Sequence, residues 1–491
     1  MGAIMSLTPE SIIIYIEIAI YLLIVLGIGV YFSRKEMKSS DYFLGGEKIP
    51  GWVLAFSERA TAQSAYMFLG AVGFIYLAGL SGIWLLSVMF VGIIFSWVFL
   101  AKKFFQERKK YNVFTLPDYF AVKYPKHGTI IRLLSAIIMG AFSLFYIAGQ
   151  FSGTGKTLYS ISGIDITIGT IVVAAIVIAY SCMGGFLSVV WTDAVQSALM
   201  VLAFIIVPIA AFIEIQQSDL SISASLASMG NGGDQWFGGL SGLVLGAMLL
   251  TNFSWFFGFL GGQPQLSTRF MAIKNEKELK TARWVAILWT IVVYIGAFLV
   301  GIFGSVLYKS DTIADAEMIL PYMVSELLPP WIAGIIIAAI LSAIMSTASS
   351  QLLVVMTSVS EDIIHRTMGI KAGERGILKI TRITGIVSGI LGIIISLLSE
   401  SFVGGVVGFA WAGIGNTFSV VVLLTFFWKK TSGIGVIATI ITGFFSAIIW
   451  TLSPLEAIVS ARAGTFFVCL IFGIAFSLLY PDDREAVEAT A

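Results

Sequence analysis

Three polar interruptions inside long apolar runs are where this chain could do chemistry. The first is Ser57-Glu58-Arg59-Ala60-Thr61-Ala62-Gln63-Ser64. A charge set into a membrane-spanning run costs at least about 2.5–3.5 kcal/mol, which makes Glu58 and Arg59 candidates for a proton site or an ion-pair site. Adjacent residues on a regular helix point about 100° apart, so the spacing predicts an irregular helix or a separate partner for each charge. The competing reading leaves both hydrated at the membrane edge. The second interruption is Phe253-Ser254-Trp255-Phe256-Phe257-Gly258-Phe259-Leu260-Gly261-Gly262-Gln263-Pro264. Paired glycines followed by proline break a helix and free backbone groups, which lipid tolerates only beside a polar cavity or buried protein. Here the alternative is a helix that ends at Gly261. The third is Ala343-Ile344-Met345-Ser346-Thr347-Ala348-Ser349-Ser350-Gln351. Hard cations such as sodium take oxygen ligands. The Ser346 and Thr347 hydroxyls share a helix face with the Ala343 carbonyl, three and four residues earlier. Back-bonding to their own helix, or gluing two helices together, is the routine alternative.

These stretches sit in a chain built for lipid. Of 491 residues, 58% are hydrophobic and 12% charged, about half the charged share of a soluble domain. The 50 glycines and 12 tryptophans suit close helix packing and interfacial anchoring. Apolar runs of spanning length recur near 12–32, 52–79, 81–101, 130–152, 165–183, 190–213, 237–262, 282–307, 331–357, 378–398, 404–427, 433–452 and 462–480. The pattern predicts an all-α integral membrane protein of thirteen spans. The polar pieces at 102–129 and 214–235 read as loops. An acidic lead-in and the lack of a small-residue cleavage site make 12–32 a retained helix rather than a signal peptide. A net charge of +1 gives no reason to expect nucleic acid. Cys182 and Cys469 lack the spacing of a disulfide framework or zinc site, and His127 and His365 fall in basic loops. No His/Cys/Asp cluster suggests an enzyme, and no metal other than sodium is expected.

Charge tests the count independently, because short cytoplasmic loops accumulate Lys and Arg. With thirteen spans, one set of alternate loops and the C-terminal tail hold 25 of the 29 basic residues. The other side holds Lys156, Lys309 and Arg462, and Arg59 lies within a span. This places the N-terminus outside and the C-terminus in the cytoplasm of a cell-membrane protein. The two interrupted spans each open a block of five. An odd count starts the second block on the opposite side, as in inverted-repeat transporters. The expected units are a peripheral first helix, repeats over 52–213 and 237–427, and two closing helices over 433–480.

Several ordered motifs extend along almost the whole chain. They include Asp41-Tyr42-Phe43-Leu44-Gly45-Gly46, Thr115-Leu116-Pro117-Asp118-Tyr119-Phe120 and Gly184-Gly185-Phe186-Leu187 with Trp191-Thr192-Asp193. Further on come Gly262-Gln263-Pro264, Arg269-Phe270-Met271-Ala272, Met345-Ser346-Thr347, Glu361-Asp362 and Ala410-Trp411-Ala412-Gly413. In these the chain resembles the sodium/solute symporter family, most closely its bacterial sodium/proline branch. The resemblance implies a LeuT-like core of five-plus-five inverted repeats, broken in its second and seventh helices. It places sodium between the backbone of Ala60 and Gln63 and the Ala343 carbonyl with the Ser346 and Thr347 hydroxyls. It gives Asp193 to the cytoplasmic ion route and sets the solute against Ser64, Tyr146, Phe256, Leu260 and Pro264. Ala62 stands where the proline pattern has an aspartate; Phe256 and Leu260 replace a tryptophan and a tyrosine. The expectation is sodium-coupled import of proline or a related zwitterion by a monomer in the bilayer, with no cofactor beyond the coupling ion. Proton coupling, another small carboxylate, and a transport-like sensor or channel are the alternatives.

Overall fold

Backbone groups in lipid have only each other to bond. A computed structural model describes residues 9–35, 38–230, 232–309, 313–370, 372–398 and 403–482, and no strand occurs among them. Ten helical stretches of the described residues are long and apolar enough to cross a membrane. The extreme termini, which the charge pattern assigns to opposite sides, lie outside the described residues, as do Lys371 and Arg484 from the basic count.

The helices that matter for the site are α1 Pro9–Ser33, α2 Gly51–Ala65, α3 Ile83–Phe95, α4 Leu116–Lys123 and α5 Gly128–Ser162. They continue with α6 Ile166–Gln217, α7 Gly242–Gly258, α8 Pro264–Met271, α9 Glu276–Leu307 and α10 Pro330–Thr357. The set closes with α11 Gly373–Leu398, α12 Thr417–Phe427, α13 Gly433–Thr451 and α14 Ala461–Leu479. The α10 stretch is the centre: 89% of its most apolar segment is buried, against 22% for α1. Helices α2, α5, α6 and α1 all pack on it. The Tyr21 hydroxyl of α1 reaches Met345 of α10 and accepts from Gln196 of α6, so the outer helix braces the middle.

Two expectations about boundaries fail for one reason: hydropathy marks the lipid, not the ends of helices. The 165–183 and 190–213 runs are one helical stretch of 52 residues, with no loop between them. Its only departure is Gly185, at φ 56° and ψ −146°. A side chain there would lie 2.7 Å from the Tyr42 ring, so the position needs glycine twice over. Likewise 102–129 is not loop. Helix Ala101–Tyr111 prolongs the third span, and Thr115 caps α4 by accepting from the Asp118 amide at 3.1 Å. The second and third runs join through a tight turn at Gly79, φ 62°, where Gly233 leaves no room for a side chain.

Candidate functional site

The second run departs from helical geometry at one of its polar residues. Ser64 sits at φ 54° and ψ −175°, a backbone region that costs a non-glycine residue about 1–3 kcal/mol. The freed amides find side-chain partners. The Ala65 amide donates to Gln150 Oε1 of α5 at 2.9 Å, and the Tyr66 amide to the Ser64 hydroxyl at 3.1 Å. A regular helix would give the Ala65 amide to the Thr61 carbonyl. Diverting it leaves that carbonyl for another donor, and α10 supplies one.

Thr347 Oγ1 donates to the Thr61 carbonyl at 2.8 Å, and Ser346 Oγ to the Ala60 carbonyl at 3.2 Å. Both hydroxyls also reach the Ala343 carbonyl, Ser346 at 3.1 Å and Thr347 at 3.2 Å. All five residues are buried. Three carbonyls and two hydroxyls therefore converge between the break and α10, a neutral set of hard oxygens of the kind an alkali cation takes. Ala60, Ala343, Ser346 and Thr347 come together, with Thr61 beside them. Gln63 lies in the same turn, its side chain buried near Tyr294.

Immediately before this cluster lies a charged one. Asp193 Oδ2 of α6 accepts from Ser57 at 2.5 Å, from Thr61 at 3.3 Å and from Arg269 Nη2 of α8 at 2.8 Å. Arg269 also donates to Ser57 at 2.8 Å and to Ser350 of α10 at 2.6 Å. Four helices are thus bolted through one buried ion pair, its side chains 0–2% exposed. The basic-residue count treats Arg269 as a loop cation, whereas it is buried. Beside the bolt, with Pro264, Arg269 and Ser350 in its wall, is a cavity of about 30 Å³. That is room for water.

Glu58 and Arg59 correct another expectation. Both are buried, and they pair with each other: Arg59 Nε donates to Glu58 Oε2 at 2.5 Å and Nη2 to Oε1. Their Cβ atoms diverge, but long side chains curl back to meet. Trp97 Nε1 adds a bond to Glu58 at 3.1 Å.

The seventh run is shorter than expected. Helix α7 stops at Gly258, Phe259 to Gln263 are non-helical, and α8 restarts at Pro264. The exposed backbone is satisfied from three elements. Ser96 donates to the Phe259 carbonyl, Ser267 to the Gly261 carbonyl at 2.7 Å, and the Gly262 amide donates to Ser419 at 3.0 Å. Of the expected solute contacts, Tyr146 lies beside Ser64. Phe256 packs against Phe95 and Phe253, and Leu260 joins Phe257, Val420 and Phe466, so neither turns toward Ser64. Trp255 does so instead, stacking on Tyr66 with centroids 4.3 Å apart and a 28° angle. Trp411 packs on Trp255 and Phe259, its buried indole nitrogen unpartnered among the described residues. Gln150, Trp255 and Trp411 are site residues that sequence reasoning missed. The lone amide in an apolar run was the available signal for Gln150.

Comparisons place this arrangement among known proteins. Residues 42–443 match the model of the sodium:solute symporter family. The osmoregulated proline transporter OpuE of Bacillus subtilis is 33% identical over 96% of this chain and 95% of its own length. The high-affinity proline transporter PutP of the same organism is 33% identical over 92% and 93%. Sodium/proline symporter 2 of Staphylococcus saprophyticus is 34% identical over 90% and 87%. In fold, the chain is similar to a sodium-coupled sialic acid symporter in a substrate-bound, outward-open state (TM-score 0.81, 21% identity, 96% and 98% covered). It is more distantly similar to Mhp1, a nucleobase-cation-symport-1 transporter in a closed conformation (TM-score 0.53, 12% identity, 90% and 97% covered). A family match over most of the chain, joined to relatives a third identical along nearly its full length, settles the kinship: the chain is a multi-pass membrane transporter belonging to the sodium:solute symporter family.

Proposed function

We propose that this protein carries proline or a related small zwitterion into the cell, driven by sodium moving down its gradient. The observation that carries the reading is the meeting of Ser346 and Thr347 with the carbonyls of Ala60, Thr61 and Ala343 at the Ser64 break. Sodium sits there, with the Gln63 backbone in reach on the same broken turn and the hydroxyl hydrogens turned away from the ion. Asp193 receives the ion on its cytoplasmic route once Arg269 swings off it. The solute lies against Ser64, Tyr146 and Gln150, under the Tyr66–Trp255 stack, and meets Phe256, Leu260 and Pro264 only if the seventh run turns them toward Ser64. Named proline transporters among the relatives support the solute class.

The architecture proposed with it has thirteen crossings in two inverted repeats of five, broken at Ser64 and at Phe259 to Gln263. Stretches of 61 and 52 residues are about 90 and 80 Å long as helix, too long for one crossing of ~30 Å hydrocarbon. Counting two crossings for each, and one for the 17-residue helix Gly242–Gly258, brings the ten to thirteen. The N-terminus outside and the C-terminus inside follow from the sorting of basic residues, and a monomer suffices for the mechanism.

Purified protein in liposomes tests this with a sodium gradient at matched pH. Proline, larger apolar amino acids and small carboxylates are offered in turn. Sodium-driven accumulation of proline or a close analogue is expected. Uptake that follows a pH gradient at zero sodium would overturn the coupling, and would point to Glu58.

A further inference from the structure

Arg462 opens α14, outside the ten helices assigned to the two repeats, yet its guanidinium reaches the seventh span. Its central carbon lies 4.2 Å from the Trp255 ring centroid. Nε donates to Ser254 Oγ at 3.0 Å, and Ser460 donates to the same oxygen at 2.9 Å, which fixes the plane of the fork. The Arg462 carbonyl accepts from Asn416, anchoring the backbone beneath it. Nη1 lies over Gly408, where a side chain would begin 2.7 Å away, so the absence of one gives the fork its room.

The fork itself is unspent. Among the described residues, no carboxylate pairs with Arg462, and its only side-chain hydrogen bond is the one through Nε. The nearby acid Glu456 is committed to the Ala461 amide at 2.6 Å. A guanidinium held by Nε and by ring stacking presents its two Nη groups in the geometry that matches a carboxylate bidentately. It does so on the side of the membrane where the basic-residue sorting leaves only Lys156, Lys309 and Arg462. Trp255 links the guanidinium to the site, since the same ring stacks on Tyr66, two residues past the Ser64 break.

We propose that Arg462 is an outer subsite for the solute carboxylate, receiving it above the Tyr66–Trp255 stack before the stack opens. The ligand class is a small carboxylate carrying an apolar body, as an amino-acid zwitterion does. This supplies from α14 the polar recognition that Phe256 and Leu260 do not provide in the seventh run. The inference rests on the reading of this chain as an amino-acid symporter.

The experiment measures proline uptake and its inhibition by prolinamide, which lacks the carboxylate, in liposomes holding wild type, Arg462→Gln or Arg462→Lys. The expected result is a KM for proline raised about tenfold or more in Arg462→Gln and less in Arg462→Lys, with the sodium requirement unchanged. Wild type should prefer proline to prolinamide strongly, and Arg462→Gln should lose that preference. An unchanged KM, or a preference for the acid that survives the Gln variant, overturns the subsite. Should the Gln variant fail to fold, Arg462→Lys and the wild-type competition decide, and a wild type that accepts the amide as well as the acid overturns it. Absence of any sodium-driven amino-acid uptake by wild type overturns the symport reading, and the subsite with it.

Discussion

Removing either member of the Asp193–Arg269 pair strands a buried charge without its partner. Side chains only 0–2% exposed make this a buried pair, for which losing one partner costs about 3–5 kcal/mol. Asp193→Asn and Arg269→Gln should each lower the melting temperature of purified protein sharply. The double variant, which strands no charge, should recover most of the loss; simple addition of the two losses would show that the pair is not coupled. The same residues show what a sequence can reveal at this scale. Ser346 and Thr347 stand out because hydroxyls in an aliphatic run need a reason, and the Ala343 carbonyl follows from helical spacing alone. Arg269 does not stand out. It looks like one more cytoplasmic cation, because its burial depends on Asp193, Ser57 and Ser350, which lie 76, 212 and 81 residues away. Gln150 is hidden for a related reason: its role is to hold an amide that only the Ser64 break sets free.

Helices are where pattern and packing diverge most visibly. Length and hydropathy suffice to mark where the long apolar helices fall, since a crossing of the hydrocarbon demands ~20 apolar residues whatever their neighbours. They do not report whether the backbone stays helical once it leaves the lipid. Hence Ala101–Tyr111 continues as a charged helix, and α6 runs through its own bend at Gly185. That bend makes an element-scale prediction. Gly185→Ala adds a methyl 2.7 Å from the Tyr42 ring and forces a conformation that costs about 1–3 kcal/mol before any clash. Its melting temperature should fall well below that of Gly140→Ala, where an added methyl meets nothing within 4 Å. Equal stability of the two variants would mean that the bend is not held in place by Tyr42. The broken segments follow the same logic. Gly261-Gly262 with Pro264 is legible as a departure from helix, but two of the three serines that satisfy it, Ser96 and Ser419, come from other elements.

On the scale of the whole molecule, both approaches to the ion cluster are covered. The Asp193–Arg269 bolt and a cavity of about 30 Å³ lie on one side of it, and the Tyr66–Trp255 stack lies beyond the break on the other. A transporter that alternates access must release these two closures in turn, and an ion that stitches α2 to α10 between them is suited to bias which one opens. We propose that sodium binds where Ser346 and Thr347 meet the Ser64 break. It is tested most directly by sodium-dependent thermal stabilisation of the purified protein, wild type against the Ser346→Ala, Thr347→Ala double variant, with choline replacing sodium as the control. A ligand bound only by the folded state raises stability by mass action. Wild type should melt higher as sodium rises, and the double variant should need at least about tenfold more sodium for the same shift, equivalent to about 1.4 kcal/mol of binding. Identical sodium responses in the two proteins would contradict the account.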